Sequence, residues 1–358
     1  MLLILTYINY ELSYDKHFDD SENIYRIVIE GRFNGRDFTG VDTPAPAGTA
    51  FREQIPGVEE RLRFQNWGGS VVKYEDKVFN EDDIVFADET FFKVFSTRLI
   101  DGNAEDVLKN KYTMAISQSA ARRYFGDEDP VGKRLKINNN EEFEVRGVYE
   151  DIPDNSHFHF DMLLSFITRE ETYNSQMWLN QSWTTYLKLA DNVTKEQIGE
   201  AMNEIAIERM SPEFKQFLDM SFEEFTSAGN TFHYFLQPLE DVHLRSENYG
   251  GFEAGGDITY VYIFSAVAAF ILLLACINFM NLSTARSANR AKEVGIRKVM
   301  GSYRSQIIAQ FIAESVLITF IAGLIGLGAA TSIFPLFNDF AEREMVLDFM
   351  ANLPLVFA

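Results

Sequence analysis

The chain has 358 residues, with 53 Asp and Glu against 32 Lys and Arg, for a formal net charge of −21. So acidic a balance argues against nucleic-acid binding, which needs basic surface to neutralise phosphates. The single cysteine, Cys276, excludes an internal disulfide, in keeping with an exported region whose fold does not depend on one.

MLLILTYI opens the chain, eight mostly apolar residues before Asn9. As helix they would reach about 12 Å, too little to cross hydrocarbon. They also lack the basic n-region and small-residue cleavage site of a signal peptide. Residues 1–9 therefore read as the outer part of a truncated first transmembrane helix.

Residues 10–257 are enough for one or two compact cores, and their pattern predicts an α+β domain. Alternation predicts strands at Tyr25–Gly31, at VEERLRF (Val58–Phe64), at Lys73–Phe79 and at Ile84–Ala87. Pro44–Ile55 reads as a helix, stopped at Pro56-Gly57. A short aromatic-faced helix is predicted at Glu89–Phe95, and another from the Ser117 cap through Tyr124. Lys133–Ile137, Phe143–Tyr149 and His157–Phe166 read as strands. After a strand at Thr184–Leu189, Thr194 and Gln197 form a capping-box pattern that opens a helix to Met210, and Phe232–Leu239 closes as a strand. The first and last strand-helix-strand runs are expected to form one βαβ-type subdomain, with Gly69 to about Phe166 inserted as a strand-rich one.

Ile258–Ala285 contains no charged residue over 28 positions, longer than a span requires. Arg286–Arg304 follows with six Lys and Arg against one acid, Glu293, a net of +5. Ser305–Asn338 is again apolar, with one charge at Glu314. Two antiparallel spans joined by basic residues place residues 286–304 in the cytoplasm by the positive-inside rule. Everything before Ile258 then lies outside. Residues 339–358 read as an external segment approaching a further span, and the chain as a whole as a fragment or truncated product.

Few patterns carry chemistry. The nearest approach to a phosphate loop, GDEDPVGKR (Gly126–Arg134), has the wrong glycine spacing, an acidic run and Arg134 in place of Ser or Thr; it reads as a turn. His157, His159 and Asp161 alternate along one predicted strand face, but zinc would want a further ligand in good geometry, and a solvated or interdomain face is favoured. No catalytic residue and no metal ligand is assigned. Within the spans Glu314 is the group to explain: either it faces polar groups such as Asn278 or Asn281, or it sits near headgroups.

The segment NFMNLSTARSANRAKEVGIRKVMGSYRSQIIAQFIAES, Asn278–Ser315, closely resembles the FtsX-like permease segment of MacB-type ABC transporters. YELSYDKHFDDSENIYRIV (Tyr10–Val28), FGDEDPVGKRL and DIPDNSHFHFD resemble the periplasmic core domain of large permeases of that family. The resemblance implies a multi-pass permease of the bacterial inner membrane, working as a homo- or heterodimer with a separate cytoplasmic ABC ATPase. ATP would be bound by that partner and no cofactor by this chain. A periplasmic or outer-membrane partner is also implied. The work would be mechanotransmission, with Glu293, Gly295, Ile296, Arg297, Lys298 and Gly301 at the ATPase-coupling surface. A membrane-anchored periplasmic sensor is the alternative, though a sensor would ordinarily carry a cytoplasmic output domain after its last span.

Overall fold

A computed structural model describes residues 1–246, 249–301, 303–341, 343 and 345–347; over residues 286–290 it describes the backbone alone. The side chains of Arg286 and Arg290, and the apolar stretch at residues 348–358, therefore lie outside the described residues. The chain divides into a strand-rich unit, Ser13–Asp257, and a helical unit formed by Met1–Leu12 and Ile258–Ala358.

Helix α1 (Leu2–Glu11) comes first. The strand-rich unit then runs β1 (Ile24–Phe33), β2 (Arg36–Gly40), β3 (Asp42–Pro44), α2 (Ala47–Gln54), β4 (Val58–Asn66), β5 (Ser70–Tyr74), β6 (Lys77–Glu81), β7 (Ile84–Ala87) and α3 (Phe91–Val94). It continues through β8 (Leu99–Gly102), β9 (Thr113–Ser117), α4 (Gln118–Phe125), β10 (Arg134–Ile137), β11 (Glu141–Tyr149), β12 (Met162–Ser165) and α5 (Glu170–Tyr173). β13 (Gln181–Leu189), α6 (Lys195–Leu218), α7 (Phe222–Ser227) and β14 (Thr231–Pro238) complete it, and α8 (Ile258–Val299) and α9 (Arg304–Ala341) follow.

The strands join one sheet with the main order β14-β1-β13-β4-β7-β12-β9-β11-β10-β5-β6. β1 is antiparallel to both β13 and β14, and β13 to β4. β1 and β4 are thus parallel with β13 between them, and β13 and β14 parallel with β1 between them. Two split βαβ units interlock, each crossing over through one helix, α2 or α6. The inserted strands β5 to β12 extend the same sheet from β4 outward. The expected βαβ subdomain with a strand-rich insertion is therefore present, with the sheet continuous across both.

Three buried clusters make the core. Ile27, Phe51, Leu187, Met202 and Phe214 fill the space under α2 and α6. Leu62, Phe64, Phe91, Phe158 and Tyr186 form the opposite face, and Ile116, Tyr124, Phe143 and Leu164 the inserted part. β4 shows why its register is fixed. Leu62 and Phe64 enter the core, while Arg61 and Arg63 point to the other face under α2. Both arginines are buried because Asp88 is buried with them. Asp88 Oδ1 and Oδ2 accept from Arg63 Nη2 and Nε at 2.8 Å each, and Asp88 also pairs with Arg61 Nη1. Gly48 lets α2 lie close on this pair: a Cβ there would meet Thr185 Cγ2 at 3.1 Å and Arg61 Cδ at 3.4 Å.

Three elements differ from expectation. Lys73–Phe79 is a hairpin, β5 to β6, turning at Glu75 with φ +51°, where the alternation masks the turn. Over His157–Phe166 only Met162–Ser165 is strand; Phe158 and Phe160 instead stack in the core at 4.7 Å. Helix α6 passes the expected stop at Met210 and runs through Pro212 to Leu218. The Ser211 hydroxyl donates to the Ile207 carbonyl at 2.6 Å, and Phe214 beyond the proline packs on Phe225 and Phe222, so burial outweighs the proline penalty.

Candidate functional site

In the helical unit, Ile258–Ala285 and Arg304–Ala341 are long and apolar enough to cross a membrane. Their large apolar side chains, among them Phe270, Leu274, Phe279, Leu317, Phe320 and Ile325, are exposed. In water such a surface would be an untenable patch; facing hydrocarbon it is what a span presents. The Tyr7 ring of α1 meets Phe264 near the start of α8 at 5.2 Å and Phe337 near the end of α9 at 6.5 Å. Those two helix ends therefore lie together, and the turn between α8 and α9 lies at the far end of the pair.

That far end holds the residues with the family pattern. The stretch expected as a connection of about 20 residues is helical as far as Val299, and the chain reverses between Val299 and Arg304. Helix continues because Glu293 and Arg297 pair one turn apart at 2.6 Å. It ends because Gly301 adopts φ +90°, with its N–H donating to the Lys298 carbonyl at 3.1 Å. The Tyr303 N–H donates to Gln306 Oε1 at 3.3 Å, a cap that opens α9. Arg297 Nη1 donates to Gln310 Oε1 at 2.5 Å, clamping the two helices together beside the turn. Gly301 thus supplies the turn, while Gly295 sits in α8 with open space where a Cβ would be.

The tip is apolar and bare. Ile296 is 56% exposed, Val299 89%, Met300 81% and Tyr303 73%. Lys298 is exposed among them. Val299, Met300 and Tyr303 escaped the sequence reading, which took the segment by its charge; the signal was the Val-Met pair between Lys298 and Gly301, a poor choice for a solvated turn. Asn278 and Asn281 lie on exposed surface of α8, and Glu314 on exposed surface of α9.

In the strand-rich unit, both chain ends are gripped by buried polar groups. At the incoming end, Asp15 takes φ +62° and its Oδ1 accepts from the His157 N–H at 3.1 Å and pairs with His157 Nδ1 at 2.8 Å. The other ring nitrogen of His157 is 2.6 Å from the Tyr186 hydroxyl on β13. At the outgoing end, Arg26 on β1 donates to Gln237 Oε1 and Ser246 Oγ, each at 2.8 Å. The Tyr14 and His243 rings, one from each end, stack at 3.3 Å. The expected shared face of His157, His159 and Asp161 does not form, because the three have separate partners. His159 pairs with Glu253 and Asp161 with Ser117 and Arg123. Among the described residues no three His, Cys, Asp or Glu groups converge to hold a metal.

Residues 1–205 match the family described as MacB-like periplasmic core domain, and residues 265–358 the family described as FtsX-like permease C-terminal. The macrolide export ATP-binding/permease protein MacB of Neisseria gonorrhoeae is 25% identical over 249 residues, which cover 69% of this chain and 34% of that protein. The Bacillus subtilis ABC transporter permease YknZ is 26% identical over 242 residues, covering 66% and 52%. A crystallised domain of a Porphyromonas gingivalis protein described as a permease is similar with a TM-score of 0.50 and 30% identity, across 62% of this chain and 91% of that domain. The chain spans about a third to a half of the length of these curated relatives.

Proposed function

The chain belongs to the family of FtsX-like, MacB-type ABC transporter permeases, and from that premise we propose that it passes ATP-driven motion from a separate ATPase to its periplasmic domain. Membership of the family makes it an inner-membrane permease with a periplasmic domain and implies a cytoplasmic ATPase as partner. The finer reading is mechanotransmission: the ATPase binds and hydrolyses ATP, and this chain moves, as one half of a permease dimer, to export or handle a substrate outside the membrane.

The observation that carries this reading is the unbroken helix from Ile258 to Val299, tipped by bare apolar side chains. At ~1.5 Å per residue, the 14 residues beyond Ala285 extend the span by about 21 Å. A helix whose backbone hydrogen bonds run on past the span moves as one body with it. Ile296, Val299, Met300 and Tyr303 offer the apolar centre that protein interfaces need, with Arg297 and Lys298 as a charged rim. Within the strand-rich unit, Arg26 on β1 holds Gln237 and Ser246 of the outgoing segment.

Arg297→Glu and Gly301→Trp test the coupling. The first breaks the clamp to Gln310 and puts like charge beside Glu293; the second forces a side chain onto φ +90°, which L residues rarely adopt. Each should lower the ATPase recovered with the purified permease by about tenfold, with membrane insertion unchanged. Recovery at the wild-type level in both variants would contradict the assignment.

A further inference from the structure

The face of β4 that lies under α2 borders a cavity of about 380 Å³, whose walls include Glu53, Arg61, Arg63, Tyr173, Trp178 and Arg209. Three arginines around one hollow are out of keeping with a chain of net charge −21. Their states differ. Arg63 is spent: Nε and Nη2 serve Asp88, Nη1 serves the Ala45 carbonyl, and the guanidinium lies over the Phe166 and Tyr173 rings at 4.6 and 5.2 Å. Arg61 is not. Its side chain is 9% exposed, it meets Asp88 through Nη1, and its Nη2 is 3.6 Å from Glu89, beyond hydrogen-bond reach. Arg209, on α6, has no ion pair among the described residues, and it is exposed at the rim.

The cavity is also a built one. The loop that carries Trp178 is pinned by Glu213, whose two carboxylate oxygens accept from the Trp178 and Leu179 N–H groups at 2.8 and 3.0 Å. Trp178 is 3% exposed and packs edge-on against Phe51 of α2. A buried guanidinium with donors to spare, a second one on the rim and the Tyr173 ring border a hollow whose remaining walls are mostly polar, an arrangement that would hold a ligand chiefly through hydrogen bonds to its charged group.

We propose that this cavity binds a small organic monoanion through its carboxylate. The carboxylate would take the open edge of Arg61 and the head of Arg209, and its apolar body would lie against the partly exposed Tyr173 ring. Guanidinium matches carboxylate by paired parallel hydrogen bonds. Three arginines face three carboxylates, Glu53 in the wall, Asp88 beneath it and Glu89 beside Arg61, so the hollow is neutral until Glu89 gives up Arg61, which leaves room for one negative charge rather than two. Glu89 stands outside the wall and gives up its distant hold on Arg61 when the ligand enters.

Titration calorimetry on the full chain in detergent tests the site, with N-acetylphenylalanine as the probe and its uncharged amide and inorganic phosphate as controls. The acid should bind saturably below about 10 mM and the amide not at all. Arg209→Glu, a change at an exposed position, should weaken the acid by about tenfold, while Glu53→Gln should tighten it by about threefold. The proposal is overturned by the absence of saturable binding of the acid, by equal binding of the amide, by a preference for phosphate, or by an Arg209→Glu variant that binds as the wild type does. None of these results depends on an ATPase, so failure here leaves the coupling role untouched.

Discussion

Replacing Asp88 with alanine should destabilise the periplasmic domain by about 3–5 kcal/mol, the usual cost of leaving a buried charge without its partner. Asp88 is fully buried and answers two guanidinium groups that are themselves almost wholly buried. It also accepts from the Arg63 backbone N–H at 2.9 Å, so the alanine variant strands a main-chain donor as well. The sign of the pH dependence follows. Burial alone would raise the Asp88 carboxyl, but Arg63 and Arg61 more than offset it and hold it below its ordinary value. A depressed carboxylate contributes its stability above the ordinary range, near pH 4, and loses it as pH falls through the native value. Urea unfolding followed by circular dichroism should show the full loss for Asp88→Ala at pH 7 and a smaller difference from wild type at low pH. A loss below about 1 kcal/mol at pH 7 would mean that the arginines find other partners and that this cluster does not hold α2 on β4.

The second large effect lies at the hairpin tip. Val299→Asp combined with Met300→Asp should weaken ATPase binding by about a hundredfold, since two apolar anchors at an interface centre each contribute on the order of 1–2 kcal/mol and the carboxylates would have to be desolvated. The fold should not notice, because both side chains are among the most exposed in the molecule. Surface plasmon resonance against the purified ATPase, with the permease in nanodiscs, measures the change directly. Unchanged affinity would mean that the tip is not the docking surface.

Much of this architecture could be read from residue order. The alternation in Tyr25–Gly31 and Thr184–Leu189, together with the Thr194–Gln197 capping box, marks the two split βαβ units, since each signal is local and is used locally. What was hidden depends on distant partners. VEERLRF alternates like a strand with one solvated face, yet Arg61 and Arg63 are buried because Asp88, some 25 residues on, is folded under them. Pro212 promises a stop that the packing of Phe214 overrules. His157-Phe-His159 imitates a strand face, but stacking of Phe158 on Phe160 turns the segment into core and hands His157 to Asp15 and Tyr186. At the tip, the charges of Arg297 and Lys298 spoke for topology and drew notice away from Val299 and Met300, whose exposure emerges only when the helix is seen to continue to residue 299.

The coupling claim is tested most directly by asking what the tip touches in the membrane. A full-length permease with Cys276→Ser and Val299→Cys, expressed with its ATPase and treated with a short bismaleimide, should yield a permease–ATPase adduct. The same protein with Phe33→Cys, exposed on the periplasmic domain, should yield none. An adduct from the Phe33 position, or no ATPase adduct from the Val299 position, would contradict the role proposed for the hairpin.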